Sequence, residues 1–253
     1  MRRIRITVAY DGTEYHGWQV QPGLATIQGW LEKVAAEIEG APVDVHGSGR
    51  TDAGVHAVGQ VAAFWLANPI PCENLRKAMN RLLPKAIRVL EAGEAAADFH
   101  PRFQAKAKTY EYRIWRGEIC PPMRRLYVCH HPYPLNEEAM AECASLYEGE
   151  HDFSAFAAAD EKDELGGSKV RRMMEARVWR EREELVFRVR GSGFLKHMVR
   201  MMTGALVETG KGNLGREDFL KRLEPGWQGK AGPAMPAAGL CLMSVEYEEG
   251  NET

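Results

Sequence analysis

The residues best placed to do chemistry are Arg50 and Asp52, carried in the run Gly49-Arg50-Thr51-Asp52-Ala53-Gly54-Val55-His56-Ala57. A carboxylate held at a fixed angle can attack an electrophilic carbon and leave again, and an arginine nearby can answer its charge or bind a phosphate. Val43 and Val45 suggest a strand ending at His46, and Val61, Ala63 and Phe64 suggest another beginning soon after Gln60, so the run reads as a loop between strands. Gly47, Gly49 and Gly54 tolerate positive φ and the close approach of another backbone. The same residues also suit a structural Asx-turn, with Asp52 bonding nearby amides and Arg50 balancing it, and spacing alone leaves both open.

Strand and helix alternate around that loop. Ile4, Ile6 and Val8 alternate with Arg3, Arg5 and Thr7, as a half-buried strand does. Thr26 precedes a helix with Ile27, Trp30, Leu31, Val34 and Ile38 on one face, closed by Gly40. Asn74 is expected to cap a second helix carrying Leu75, Met79 and Leu82 and ended by Pro84. The segment 98–107 lacks periodicity and leads into a second half. There the pattern predicts a strand over 108–115, a helix capped by Asn136 and ended at Gly149, and a hairpin around Val178 and 185–189. A helix over about 194–209, a short helix over 216–223 and a strand over 240–247 follow. This predicts an α+β fold, a mostly antiparallel sheet with helices on one face, built as two halves, 1–105 with the loop and 106–253.

With 253 residues, 45% hydrophobic and 27% charged, the chain is globular rather than disordered. A net charge of -2 excludes a protein that coats nucleic acid by charge alone, yet the charge is segregated. Arg171, Arg172, Arg177, Arg188, Arg190 and Lys196 crowd one stretch, Arg102, Lys106, Lys108, Arg113 and Arg116 another, and Glu246, Glu248, Glu249 and Glu252 load the tail. Such segregation suits a basic cleft for phosphates and equally suits solvated strand faces; over 185–190, Arg188 and Arg190 share a face along which a polyanion could lie. The five cysteines are scattered and lack C-x-x-C pairing, which points to free thiols in a reducing compartment. The first residues enter a strand without an apolar signal core, and the uncharged stretch 53–72 is too polar to span a membrane, so a cytoplasmic protein is expected. His56, His100 and His197 lack ligand spacing, and there is no P-loop, dinucleotide fingerprint or Gly-x-Ser-x-Gly motif, so neither metal nor cofactor is implied.

Several segments together resemble the tRNA pseudouridine synthase A family. GRTDAGVHA resembles its catalytic loop, and Tyr10-Asp11-Gly12-Thr13-Glu14-Tyr15-His16-Gly17-Trp18-Gln19 its YDG pattern. Phe99-His100-Pro101-Arg102-Phe103 with Ala105 to Tyr112, Phe194 to Gly204, and Gly239-Leu240 match further. Read from the residues, Tyr15 and Trp18 pack or stack on bases, Tyr112 is core, and Met198, Val199 and Met202 form an apolar stripe. The resemblance implies two ferredoxin-like or RNA-recognition-motif-like halves whose sheets join, with an active-site cleft between them. It implies isomerisation of uridine to pseudouridine in the tRNA anticodon stem-loop, at nucleotides 38, 39 and 40, by a homodimer without a cofactor. It implies Asp52 as the catalytic carboxylate, Arg200 as its charge partner and Tyr110 against the target base. Arg50, Arg102, Lys108, Arg171, Lys196 and His197, with Tyr110, are expected on the RNA. Asp52 could attack C1′, assist formation of a glycal or add to C6, and the sequence leaves these routes open. The acidic loop 159–167 matches no family pattern. A noncatalytic RNA-binding module is opposed by the intact Asp52 and Tyr110, and a glycosidase-like hydrolase by the lack of an acid partner near the loop.

Overall fold

A computed structural model describes residues 1–158 and 167–248; the acidic loop lies, apart from Gly167, outside the described residues. The chain divides into two compact units, Met1–Lys106 with the segment from Cys241 onward, and Ala107–Leu240. Both are α+β, with mostly antiparallel strands.

In the first unit β1 (Arg2–Tyr10) lies antiparallel to both β3 (His56–Leu66) and β4 (Ile87–Ala95), with β2 (His46–Gly47) beside β3. Ile4, Ile6 and Val8 are fully buried, as their alternation predicts. The last strand, β10 (Leu240–Glu246), counts from Cys241 onward with this unit, pairing in parallel with β3 at Cys241–His56 and Leu242–Ala57. Local periodicity carries no signal for such a long-range pairing. β3 also begins earlier than its alternation suggests: it is buried along almost its whole length, so its sequence is a continuous apolar run rather than a period-two pattern.

Helix α1 (Ile27–Glu39) starts where Thr26 Oγ1 accepts the Gly29 amide at 3.3 Å and stops at Gly40, whose φ is 79°. Helix α2 (Cys72–Leu82) starts at Pro71, ahead of the expected cap Asn74. The Pro71 carbonyl accepts the Leu75 amide at 2.8 Å, and its fixed φ of -57° readies the turn, so Asn74 falls inside the helix.

In the second unit β5 (Ala107–Trp115), β9 (Glu184–Gly191), β8 (Val170–Glu181) and β7 (Gly149–Asp152) lie side by side, each antiparallel to the next, with β6 (Cys129–His130) parallel to β5. Asn136 Oδ1 caps α3 (Glu137–Ser145) by accepting the Ala139 amide at 3.0 Å; the helix ends before Gly149, which opens β7. Helix α4 (Met198–Gly210) is almost entirely buried, and α5 (Arg216–Lys221) follows it. The Tyr147 hydroxyl donates to the Met202 carbonyl at 2.9 Å, and its ring lies among Phe153, Phe156, Phe187 and Phe219. Among the described residues no helix is long and apolar enough to cross a membrane.

The strand face that carries Arg188 is balanced rather than open to a polyanion. Glu111, only 2% exposed, accepts from Arg188 Nε at 2.9 Å and from Arg113 Nη2 at 2.8 Å. Arg113 also reaches Glu184 at 2.9 Å and Glu181 at 3.1 Å, while Arg177 and Arg188 lie against the Trp179 ring. Burial pushes the Glu111 carboxyl up, but Arg188 and Arg113 outweigh it and hold it below its ordinary value of 4.5. Below that value the unfolded chain binds the proton more readily, so this carboxylate's stabilisation is complete above it and is lost as pH falls through the lower folded value. Thermal melts should therefore show a midpoint that drops on acidification below about pH 4.5, with a shallower drop in Glu111→Gln. Equal slopes in the two proteins would remove Glu111 from the acid response.

Candidate active site

The loop that carries Asp52 spans residues 48–55, between β2 and β3, and is fixed from behind by buried polar groups. The fully buried Gln60 accepts from Ser48 Oγ at 2.6 Å and donates to the Gly49 carbonyl at 3.0 Å. Tyr10, buried so that its phenol is pushed above its ordinary pKa, pairs with Thr51 Oγ1 at 2.9 Å. The YDG segment supplies the rest of the cradle. Trp18 donates its amide to the Thr51 carbonyl at 3.0 Å, the Gly54 amide reaches the Tyr15 carbonyl at 3.3 Å, and the Gly12 amide donates to His56 Nδ1 at 3.1 Å.

Gly17 shows why this turn is glycine: a Cβ there would lie 2.5 Å from the Thr51 carbonyl oxygen. Of Gly47, Gly49 and Gly54, only Gly54 adopts positive φ, at 78°; Gly47 instead makes room for the Trp18 indole. The result is a half-buried Asp52 beside an exposed Arg50 on a backbone with little freedom. Gln60, Ser48, Thr51 and Tyr10 were not expected as positioning residues, although a glutamine inside an uncharged apolar strand was a usable signal. Gln60→Ala should lower stability by about 2–3 kcal/mol, through the bonds lost and the Ser48 hydroxyl left buried. An unchanged denaturant midpoint would show that this frame does not hold the loop.

In the second unit Tyr110 sits on β5, nearly buried, with its ring edge-on to Phe194 at 4.9 Å between centroids. Lys108, half-buried, is on the same strand face. Tyr112 is core: its hydroxyl donates to the Pro236 carbonyl at 2.6 Å. The helix expected from 194 begins only at Met198. Residues 194–197 form a loop ending in His197 at φ 60°, a left-handed conformation costing a side-chain-bearing residue on the order of 1–3 kcal/mol and typical of functional sites.

Arg200 is thereby placed in the first turn of α4, where Nε donates to the Met235 carbonyl at 2.6 Å and the Met235 amide returns to the Arg200 carbonyl at 3.2 Å. Gly204, one turn on, allows this approach, since a Cβ there would lie 1.9 Å from the Pro233 carbonyl oxygen. Lys196 is exposed, and its carbonyl accepts the Ala158 amide at 3.0 Å. Arg171 lies beside Gly193, its Nη1 donating to the carbonyls of Ser168 at 2.8 Å and Val170 at 2.7 Å; burial lowers its pKa.

The structure thus gathers Arg50 and Asp52 in one loop of the first unit, and Arg171, Lys196, His197 and Arg200 at or before the start of α4 in the second, where Phe194 joins them to Tyr110. Arg102 stands apart from the loop, exposed in the segment 99–104, its amide bonded to His100 Nδ1 at 3.2 Å. Among the described residues no cluster of His, Cys, Asp or Glu is arranged to hold a metal ion.

In the first unit, an acid on a clamped loop suits nucleophilic chemistry. The family described as tRNA pseudouridine synthase matches residues 6–104 and 143–248. A tRNA pseudouridine synthase A of Solibacter usitatus (strain Ellin6076) is 59% identical over 247 residues, 98% of this chain and 100% of its own. The protein of that name from Anoxybacillus flavithermus (strain DSM 21510 / WK1) is 45% identical over 249 residues, again 98% and 100% of the two chains. The chain belongs to the tRNA pseudouridine synthase A family and is, with it, an isomerase.

Proposed function

We propose that the protein converts uridine to pseudouridine in the anticodon stem-loop of tRNA, at nucleotides 38, 39 and 40, with Asp52 as the nucleophile. The observation that supports this most is the buried frame of Tyr10, Ser48, Thr51 and Gln60, which fixes the backbone of the very loop that carries the family's acid. Family membership supplies the reaction. The N1–C1′ bond breaks, the uracil turns while still held, C5 joins C1′, the C5 proton goes to solvent and N1 gains one.

As nucleophile Asp52 bonds to C1′ as the N1–C1′ bond breaks and is displaced when C5 joins C1′; addition to C6 with later elimination, or removal of the 2′ proton to give a glycal, are the other routes open to the same carboxylate. Arg200, its guanidinium plane set by the Met235 carbonyl, is the charge partner proposed for that carboxylate. Tyr110, steadied by Phe194, stacks on the flipped uracil and takes part in removing the C5 proton. Arg50, Arg102, Lys108, Arg171, Lys196 and His197 hold the RNA backbone, which a protein reads by shape because A-form RNA hides its major-groove edges. Donor and acceptor of the transferred group are one molecule, so the step needs neither cofactor nor energy source. In this reading the protein works in the cytoplasm as a homodimer.

The test is to incubate the protein with tRNA transcript tritiated at uridine C5 and to measure tritium release together with pseudouridine in the nuclease digest. Both should appear together at the anticodon positions. Free uracil in place of pseudouridine would make the protein a hydrolase, and binding with neither product would make it an RNA-binding module.

A further inference from the structure

An open groove of about 430 Å³ lies in the first unit, bordered by Arg5, Phe99, Phe103, Gln104, Lys106 and Tyr247, with Glu94 and Glu248 at its rim. Arg5 is half-buried, its guanidinium 4.7 Å from the Tyr247 ring centroid and 5.6 Å from that of Phe99. It makes no ion pair among the described residues. The two carboxylates are already answered, Glu94 by Arg2 at 2.7 Å and Glu248 by Lys106 at 2.6 Å.

The aromatic wall is rigid. Phe99 meets Tyr247 edge-on at 5.2 Å, and the Tyr247 hydroxyl is tied to the Pro101 carbonyl at 2.7 Å. Phe103, 78% exposed, ends a column of rings: its centroid is 4.3 Å from that of His100, which stacks on His46 at 5.7 Å. Phe103 thus presents an aromatic surface to solvent at the end of a column ordered by ring contacts. Flat apolar faces around an arginine that, among the described residues, meets rings and no carboxylate match a ligand that is itself flat and anionic, with a base to stack and a phosphate to pair.

We propose that this groove binds one unpaired nucleotide of the RNA substrate, its base stacked on Phe103 and its phosphate at Arg5. The site lies on a segment other than the Asp52 loop and acts in substrate capture. The proposal rests on the reading of the protein as an RNA-modifying enzyme.

The experiment measures binding of unmodified tRNA transcript to the full chain by filter retention at several salt concentrations. Phe103→Ala should weaken binding about tenfold and Phe103→Trp should keep it within about threefold. Arg5→Met should weaken it and reduce the slope of log affinity against log salt by about 1. Photocrosslinking of 4-thiouridine-substituted tRNA should recover the peptide that contains Phe103.

Because Phe103 is exposed, its substitution leaves folding intact, which a thermal melt verifies. Phe103→Ala binding as tightly as wild type overturns the proposal. So does a changed elution volume on size exclusion with unchanged RNA affinity, which would make the face a contact between copies of the chain. If wild type forms pseudouridine and Phe103 is irrelevant, the groove falls while the Asp52 chemistry stands. If RNA binding depends on Phe103 but no pseudouridine forms, the chemistry falls and the groove stands.

Discussion

Asp52→Ala and Asp52→Asn are expected to lower pseudouridine formation by about 10⁴-fold or more, because no neighbouring group can replace a covalent nucleophile. Affinity for unmodified tRNA should stay within a few fold. The loop's hydrogen bonds include those of Thr51, Gly49 and Gly54 and one from the Val55 amide to the Asp52 carbonyl at 3.1 Å, so its shape should survive loss of the carboxylate. Single-turnover kinetics with excess enzyme, alongside filter binding, separate the two quantities. Turnover by Asp52→Ala within tenfold of wild type would remove this residue from the chemistry altogether.

Arg200→Ala should carry the second largest penalty, about 10²–10³-fold in the chemical step with a much smaller change in binding. Arg200→Lys should recover little of it. The position is set by a donation from Nε to the Met235 carbonyl, and an ammonium has neither that donor nor the planar fork of the guanidinium. A loss confined to affinity, with the bound complex reacting at the wild-type rate, would reassign Arg200 to RNA contact and leave Asp52 without its proposed partner.

What could be read from the sequence was what depends on near neighbours in the chain. The alternation of Ile4, Ile6 and Val8, the Thr26 and Asn136 caps and the Gly40 stop are each decided within a few residues, and the structure keeps them. Features decided by distant partners were hidden. Strand β10 is paired with residues that precede it by 185 positions, Cys241 with His56, and the start of α4 is delayed by a left-handed His197 that no residue type announces.

The basic stretch after Ser168 left a phosphate track and a solvated strand face equally open, because the sequence does not show which carboxylates fold onto it. Glu111, Glu137 and Glu175 each meet one of its arginines. At the candidate site the acid itself was legible from its motif. The buried hydroxyls and amide behind it were not, since Tyr10 and Gln60 become positioning groups only when β1 and β3 lie side by side.

The turn over 10–18 therefore matters for anyone who would move this chemistry elsewhere. Because Gly17 lies against the Thr51 carbonyl and Trp18 holds it, the smallest transplantable module is two stretches of chain some forty residues apart, together with the strands that bring them into register. A graft of the nine-residue loop alone would carry the acid into a new scaffold without the mould that gives it a direction, and libraries that randomise the loop while freezing the turn would mostly sample shapes the turn forbids.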